Sequence, residues 1–259
     1  MKKLTTFLLL LSTFFLHGQT MVTPYPDNSW DAKTYTYLGV PSLEKKWKKS
    51  ELRQFLKYME KIYIADKWSL PRKNSPYSGD VFKKMTSFEL LKPINDATIQ
   101  IDERIDYINT QFEYSNFLLA IYQEKDRKTE RFGREVLAGY NFLLASTRCV
   151  RNFMDELTKT LPPNATAQPE FKKMYNQSTS QVVTLINLHI EIFQKDWGRY
   201  DSDVISNFAP TAFEGIDKSW SLLSSTQQKT LISKITILKK HELKPIRKAA
   251  KSFLKEKEF

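Results

Sequence analysis

The side chains of this sequence that are best suited to chemistry are cations near its C-terminal end. From Lys229 to the last residue there are ten basic side chains and three acidic ones. Six of the basic side chains recur mainly at steps of three and four residues, the spacing of neighbours on one helix face. They are Lys240, Lys244, Arg247, Lys248, Lys251 and Lys255. The sequence therefore predicts a basic stripe on a C-terminal helix, with an apolar face opposite to it. The residues of that apolar face are Leu243, Ile246, Ala250 and Phe253.

A basic stripe of this kind predicts contact with an anionic partner. The anionic partners that such a stripe would suit are lipid head groups, lipopolysaccharide and acidic proteins. The alternative is a solvated lysine-rich face that only keeps the protein soluble, and the sequence leaves both interpretations open. Nucleic acid is disfavoured, because the stripe is rich in lysine where base recognition favours arginine. It also lacks the interleaved aromatic residues that stack on bases.

Local motifs for metal, nucleotide or nucleophilic chemistry do not occur in this sequence. HExxH, GxSxG, GxGxxG and GxxxxGK[ST] patterns are all missing. Asp201, Asp203 and Asn207 fall close together, but the glycine and the terminal glutamate of an EF-hand calcium loop are absent. We therefore expect no metal and no cofactor. An enzymatic site assembled from distant residues stays open as an alternative. Its candidate side chains are His189, Arg148, Arg151, Glu113 and Glu135.

Two residues with reactive side chains fall within apolar helical patterns, which predicts structural roles for both. His189 follows Val182 and Leu185 at helical spacing and precedes Phe193. We therefore expect a hydrogen-bonded histidine in the core rather than a general base. Cys149 is the only cysteine of the chain, so it has no partner for an internal disulfide. We interpret it as a small buried hydrophobic residue.

The first 18 residues have the pattern of a secretory signal peptide. Lys2 and Lys3 precede an apolar run from Leu4 to Leu16, which is shorter than the ~20 residues that cross a bilayer as a helix. Cleavage after Gly18 would remove two of the 40 basic residues, so the formal charge would fall from +11 to 38 − 29 = +9. The sequence thus predicts a bacterial protein of the periplasm or the extracellular space, without a membrane span after cleavage.

Hydrophobic spacing beyond this leader predicts an all-α protein. We expect residues 19–41 to form an extended, aromatic-rich arm and residues 42–259 to form a single helical domain. About five long and two or three short helices should pack as an antiparallel multi-helix bundle, because short loops favour neighbours of opposite direction. Pro245 should kink or interrupt the last helix. The helices are expected over residues 42–67, 81–91, 129–161, 169–197 and 226–257, with another from about Asp96 and one or two short ones around Pro210. Asp96 and Thr226 should cap the helices that they begin, and Gly198 should close the helix that begins at Pro169.

Apolar stripes are clearest in the two central helices. The helix that follows Asp96 is expected to bury Ile101, Ile105, Ile108, Phe112 and Leu119. The helix at 129–161 keeps a heptad spacing through Val136, Tyr140, Leu143, Thr147, Val150, Met154 and Leu157. Small residues in this helix, among them Gly139, should let a neighbouring helix approach closely.

Export, a helical architecture and the basic C-terminal helix together favour a non-enzymatic envelope protein. Such a protein would bind an anionic macromolecule, a membrane surface or a protein partner. Two alternatives stay open: the enzyme with a site assembled from distant residues, and a periplasmic immunity protein that neutralises a specific toxin. Sequence pattern leaves the oligomeric state undetermined.

Overall fold

The computed structural model describes residues 70–76, 79–126 and 132–257. The predicted leader, the arm at 19–41 and the helix at 42–67 therefore lie outside the described residues. By its internal contacts the chain divides into two compact units, residues 1–142 and residues 143–259. Their boundary falls within one long helix. The predicted single domain at 42–259 stays a prediction.

The described part of the chain is all-α, which confirms the predicted fold class, and no strand occurs in it. Short 3-10 and π-helical turns join or extend several of its helices. None of these helices is both long and apolar enough to span a bilayer. The antiparallel bundle stays a prediction. The α-helices are α1 (Gly79–Met85), α2 (Ile101–Asp126), α3 (Gly133–Thr160), α4 (Pro163–Thr166), α5 (Pro169–Glu191), α6 (Ser202–Ser219), α7 (Ser225–Ile237) and α8 (Lys244–Glu256).

In the first unit, α2 holds the preceding segment, residues 70–76 and 79–95, through side chains that reach its backbone. Three buried tyrosines of α2, the tyrosine series, each donate a hydroxyl hydrogen bond of 2.6–2.7 Å to a carbonyl oxygen. Buried Arg104 adds a 2.8 Å bond from Nε to the carbonyl of Ile94. Partners move back along the chain as α2 advances, so the segment runs antiparallel to α2. The tyrosine pairs are Tyr107 with Leu90, Tyr114 with Met85, and Tyr122 with Pro71.

The tyrosine series corrects the buried face that the sequence predicted for α2. Ile108 and Phe112 are buried as expected, but Ile101 is 37 % exposed. Ile105 and Leu119 are only half-buried. The prediction was wrong for these three residues because the phenol rings of the tyrosine series fill the core instead. Their hydroxyls satisfy carbonyls that a purely aliphatic face would leave without donors.

The limits of the first two predicted helices also differ from the observed ones. The predicted helix at 81–91 is α1 followed by a separate 3-10 helix over Phe88–Asn95, which contains Pro93. Proline has no N–H for the carbonyl of Leu90, three residues before it, and the Tyr107 hydroxyl donates to that carbonyl in its place. The next helix begins five residues later than predicted, because Asp96 closes a turn instead of capping the helix. Its Oδ1 accepts a 3.0 Å bond from the backbone nitrogen of Thr98.

Helix α3 confirms the heptad prediction at most of its positions. Gly139 is buried, and a Cβ atom there would lie 3.2 Å from Cδ1 of Leu119 on α2. The small residue therefore permits the predicted close approach of a neighbouring helix. The buried heptad residues are Val136, Thr147, Val150, Met154 and Leu157, while Tyr140 and Leu143 are half-buried.

The second unit is organised around aromatic rings from the end of α5 and from α6. The ring of Phe193 is fully buried and lies 5.6 Å from the ring of Phe208 and 5.8 Å from that of Phe213. Phe193 belongs to a π-helical turn over Ile192–Asp196 that continues α5. A π turn holds more residues than an α turn, which changes the rotation of the residues along the helix. Ile190, Ile192 and Phe193 are consequently all buried.

Prolines mark the helices of the second unit in three ways. Pro169 occupies the first turn of α5, as predicted. Pro210 lies inside α6, which is one helix of 18 residues where one or two short helices were predicted. Because Pro210 is exposed, water can reach the carbonyl of Ser206 that loses its helical donor, and the helix continues. Pro245 interrupts the C-terminal helix, as predicted, and lies in the first turn of α8.

Two predicted helix ends are corrected by the structure. Gly198 was expected to close the helix that begins at Pro169, but it lies within a 3-10 turn over Trp197–Arg199. Thr226 was expected to cap the last helix, but the cap is Ser224, two residues earlier. Its Oγ accepts from the backbone nitrogen of Gln227, and the Gln227 side chain accepts from the backbone nitrogen of Ser224 in return. This reciprocal pair is a capping box, which satisfies two donors at the start of α7.

Candidate partner-binding surface

Helix α8 is anchored to α6 through one apolar face. The Phe253 ring lies 5.7 Å from the ring of Phe213 on α6 and 5.1 Å from the ring of Trp220, which follows α6. These contacts fix the rotation of α8 about its axis, so the residues on its other side must point outward. The residues of the anchored face, at most 3 % exposed, are Ile246, Ala250, Phe253 and Leu254.

Four lysines occupy the outward side of α8, and they are called the lysine stripe from here on. All four are exposed, and none forms an ion pair with a residue that the structure describes. At about 100° per residue their directions span an arc of roughly 60° around the helix axis. Like charges three or four residues apart destabilise a helix by ~0.2–0.5 kcal/mol per pair, so the stripe carries an uncompensated cost. Its members are Lys244, Lys248, Lys251 and Lys255.

Two of the six predicted basic residues do not belong to the lysine stripe. Lys240 is exposed but lies in a 3-10 turn over Leu238–Lys240, before the break that precedes α8. Arg247 lies on α8 and is half-buried. Its Nη1 donates to the carbonyl oxygens of His241 and Glu242 at 2.6 and 2.7 Å. Arg247 therefore anchors the turn before α8, a role that spacing alone does not reveal.

Replacing Arg247 with alanine should lower the free energy of unfolding by about 1–2 kcal/mol, because two carbonyls lose a charged donor. The same change at Lys248, the next residue, should stay within about 0.5 kcal/mol, because that side chain makes no such bond. Urea denaturation followed by circular dichroism measures both values. Equal losses in the two variants would contradict the anchoring role of Arg247.

A groove of about 610 Å³ runs beside the lysine stripe, between α6 and α8. Its floor is formed by Phe213 and Phe253, which are 5 % and 3 % exposed. Pro210, Pro245 and Ala249 form much of its walls. The interior of the groove is therefore mainly apolar, although it opens to solvent along the helices.

Charged side chains along α8 give the groove two different ends. Lys244 and Lys248 of the lysine stripe line it near the start of α8, and Glu256 lines it near the end. At 1.5 Å per residue, Lys244 and Glu256 are about 18 Å apart along the helix axis. The positive end of the groove coincides with the N-terminus of α8, where the helix dipole also favours an anion.

The two carboxylates that α6 contributes to the groove are already paired with cations. Glu214 accepts a hydrogen bond from Nζ of Lys218. Asp217 forms an ion pair with Lys257, whose Nζ also lies 5.6 Å from the centre of the Phe253 ring. Pairing cancels most of the negative charge of these groups, so they oppose a bound anion only weakly.

The sequence predicted a basic stripe on the last helix but gave no prediction of the groove. The four α6 residues that line it are spaced at three, four and seven residues from the first, which places them on one helix face. That spacing was a usable signal, but only the packing of α8 against α6 reveals that an open groove borders this face. The residues are Pro210, Phe213, Glu214 and Asp217.

Arg151, a candidate for the alternative catalytic site, is engaged by a cluster of its own. Its Nε donates to Thr179 at 2.8 Å, and its other nitrogens contact Tyr175 and Asp155. Burial and the hydrogen bond to Asp155 raise the pKa of the Tyr175 hydroxyl. None of these contacts involves His189. The cluster joins α3 to α5, which is a structural role.

Glu135, a second catalytic candidate, fixes backbone in the first unit. It is 2 % exposed, and its Oε1 accepts a 2.6 Å bond from the backbone nitrogen of Lys73 and lies 3.5 Å from Nε of Arg72. Burial lowers the pKa of Lys73, against the opposing effect of the Glu135 charge. Arg148 is half-buried, and the side chain of Glu113 lies outside the described part of the chain. The contacts of Glu135 with Lys73 and Arg72 tie the segment at 70–76 to the start of α3.

His189 is fully buried, which confirms its predicted place in the core. Its Nδ1 lies 2.7 Å from the carbonyl oxygen of Leu185, so Nδ1 carries the proton because a carbonyl only accepts. The ring stacks on Phe208 at 5.6 Å between centroids. Burial lowers the pKa of His189 to about 4, and the ring is therefore neutral at pH 7. A general base facing a cleft would need a different environment.

Within the described ranges, no group of three or more His, Cys, Asp or Glu side chains is placed to hold a metal ion. Cys149 is half-buried, whereas the sequence predicted a buried residue. Comparison of the chain with protein-family models, curated proteins and solved structures finds no match.

Proposed function

We propose that this is an exported, non-enzymatic protein of the bacterial envelope that binds anionic lipid surfaces through the lysine stripe. The observation that supports the proposal most strongly is the set of four exposed lysines on one face of α8, without ion-pair partners in the described chain. A cationic side chain near an anionic bilayer contributes ~1 kcal/mol, so four of them supply about 4 kcal/mol. The same contact would relieve the repulsion within the stripe.

The choice of lysine fits a lipid surface better than a shaped polar site. An ammonium group is a compact charge on a flexible stem and needs no fixed geometry, whereas a guanidinium suits planar, bidentate partners. The one arginine of α8, Arg247, is already engaged with carbonyl groups of the protein itself. The outward face is therefore suited to a layer of mobile phosphate groups.

An exposed apolar side chain next to the basic segment favours a membrane over an acidic protein. Ile237 is 65 % exposed and precedes Lys240, also exposed, by three residues. Ile237 is the last residue of α7 and Lys240 is the last residue of the 3-10 turn that follows, so an exposed apolar side chain and an exposed cation lie close together along the chain. Apolar residues among lysines are typical of segments that lie between head groups and acyl chains.

Vesicles of defined charge test the proposal. The protein should bind phosphatidylglycerol vesicles and bind phosphatidylcholine vesicles only weakly. Replacing all four stripe lysines with glutamine should weaken binding to phosphatidylglycerol by about a thousandfold, because about 4 kcal/mol of attraction is lost. Cosedimentation over a lipid titration measures both affinities.

A matched control removes the same charge from elsewhere in the second unit. Its four sites are exposed lysines outside α8, and this variant should bind within about threefold of the unmodified protein. Equal losses in both variants would mean that total charge alone attracts the protein. Unchanged binding in the stripe variant, or capture of an acidic protein without any affinity for vesicles, would overturn the proposal. The control substitutions are Lys159, Lys172, Lys173 and Lys195→Gln.

A further inference from the structure

We propose that the groove between α6 and α8 binds one anionic amphiphile, with its hydrocarbon chain on the apolar floor and its head group on Lys244 and Lys248. This inference rests on the proposed binding of the lysine stripe to anionic lipid. The lysine stripe contacts a lipid surface, and the groove adds a binding site for one amphiphile molecule.

The head-group end is defined by two lysines that belong both to the lysine stripe and to the groove lining. Lys244 and Lys248 are exposed and have no ion-pair partner among the described residues. They lie one helical turn apart, so one phosphate can contact both ammonium groups. An anion on the outward face of α8 would therefore already lie at the mouth of the groove.

The chain end is defined by the rings beneath the groove. Phe213 and Phe253 are packed against each other with centroids 5.7 Å apart, so the floor exists before any ligand binds. Pro210 and Pro245 stand exposed on its two sides and have little conformational freedom to lose. A volume of about 610 Å³ lies within the usual range for small-molecule sites. A hydrocarbon chain in this groove would bury apolar surface against preformed walls.

The carboxylates of the groove orient such a ligand rather than exclude it. Glu214 and Asp217 are paired with Lys218 and Lys257. Glu256 lines the groove at the opposite end of α8 from Lys244. An anionic head group is therefore attracted to one end and repelled from the other, while a neutral chain is unaffected by either.

An extended peptide fits this groove less well than a hydrocarbon chain. A peptide backbone needs hydrogen-bond partners along its length. Apart from the Ser206 carbonyl and the first turn of α8, the backbone groups of α6 and α8 are engaged within their own helices. Ser252 supplies the one uncharged polar side chain of the lining. A hydrocarbon chain needs no such partners, and an acidic helical peptide is kept as a competing occupant in the test.

The first test uses dodecyl phosphate below its critical micelle concentration and isothermal titration calorimetry. The protein should bind one equivalent. Dodecyl maltoside, which has the same chain without charge, and inorganic phosphate, which has the charge without the chain, should each bind at least about tenfold more weakly. Equal binding of either probe would overturn the proposal, because head group and chain would then not act together.

Two pairs of stripe lysines provide a matched comparison on the same helix. Lys244→Gln with Lys248→Gln removes the cations that line the groove, and dodecyl phosphate should bind about tenfold more weakly. Lys251→Gln with Lys255→Gln removes the same charge outside the groove and should change binding less than about threefold. Equal losses for the two pairs would contradict the placement of the head group.

A substitution that fills the groove distinguishes binding in the groove from binding of the lysine stripe to a lipid surface. Ala249→Phe should abolish binding of dodecyl phosphate while vesicle binding through the lysine stripe persists. Thermal unfolding checks that Ala249→Phe is folded, and Ala249→Leu replaces it if it is not. The proposed site would be overturned if a folded groove variant still bound dodecyl phosphate. It would also be overturned if an acidic helical peptide bound more tightly and displaced dodecyl phosphate. Vesicle binding that the stripe variants keep in full would count against the proposed function instead.

Discussion

Acidification from pH 7 to pH 4 should cost the fold about 3 kcal/mol through His189 alone. The pKa of His189 is lowered from 6.5 to about 4 by burial, so the folded protein holds the ring neutral. The stabilisation is fully present above pH 6.5 and is lost as the pH falls toward 4, because the unfolded chain gains a proton that the folded chain excludes. A second proton would have to sit on Nε2, inside the core, since Nδ1 already donates to Leu185.

The measurement compares unfolding free energies from urea titrations at pH 7 and pH 4. His189→Leu, which keeps an apolar side chain of similar size, should lose about 3 kcal/mol less than the unmodified protein over this range. Carboxylates contribute equally to both proteins, so the difference isolates His189. His241→Gln is the control and should keep the full sensitivity, because His189 is still present. An acid response that His189→Leu leaves unchanged would refute the assignment.

Removing the three hydroxyls of the tyrosine series should destabilise the protein by about 4 kcal/mol. The substitutions Tyr107→Phe, Tyr114→Phe and Tyr122→Phe keep the buried rings and delete only the donors to the carbonyls of Leu90, Met85 and Pro71. These carbonyls would then lose their partners inside the core. Burial also raises the pKa of Tyr114 well above its usual value, so its hydroxyl keeps its proton as a donor.

Urea denaturation gives the size of this loss, and hydrogen exchange gives its location. Amides of residues 82–95 should exchange faster in the triple variant, whereas those of α7 should change only with global stability. Tyr200→Phe makes the same chemical change at a half-buried position and should cost no more than about 1 kcal/mol. A triple variant as stable as the Tyr200 variant would mean that the hydroxyl bonds contribute little.

The sequence predicted helix type and the main interruption of the C-terminal helix because those features have local causes. Pro245 cannot donate a backbone hydrogen bond, so a break near it follows from its own chemistry, and α7 and α8 are separate. The heptad of α3 is also local, because its apolar residues alone define the face. The same spacing predicted the lysine stripe, although the predicted set of six also included Lys240 and Arg247, which do not belong to the stripe.

The errors occurred where a distant segment decides the role of a residue. On α2 the aliphatic pattern favoured Ile101 and Ile105, yet the buried side carries Tyr107 and Arg104, whose partners are carbonyls of residues 85–95 and earlier. Nothing in the spacing of α2 indicates that such carbonyls are nearby. The groove was missed for the same reason, since it exists only where α6 and α8 meet. The prediction of short helices around Pro210 was wrong because the sequence does not show that this proline is exposed to water.

The lysine stripe also affects how copies of this protein meet. A twofold dimer places the same patch of both subunits against itself. A dimer built on the outward face of α8 would set one row of ammonium groups against an identical row, without opposing carboxylates to separate them. Electrostatic repulsion therefore keeps two such faces apart in dilute salt. A multivalent anion placed between them would reverse the sign of the interaction and bridge the two molecules.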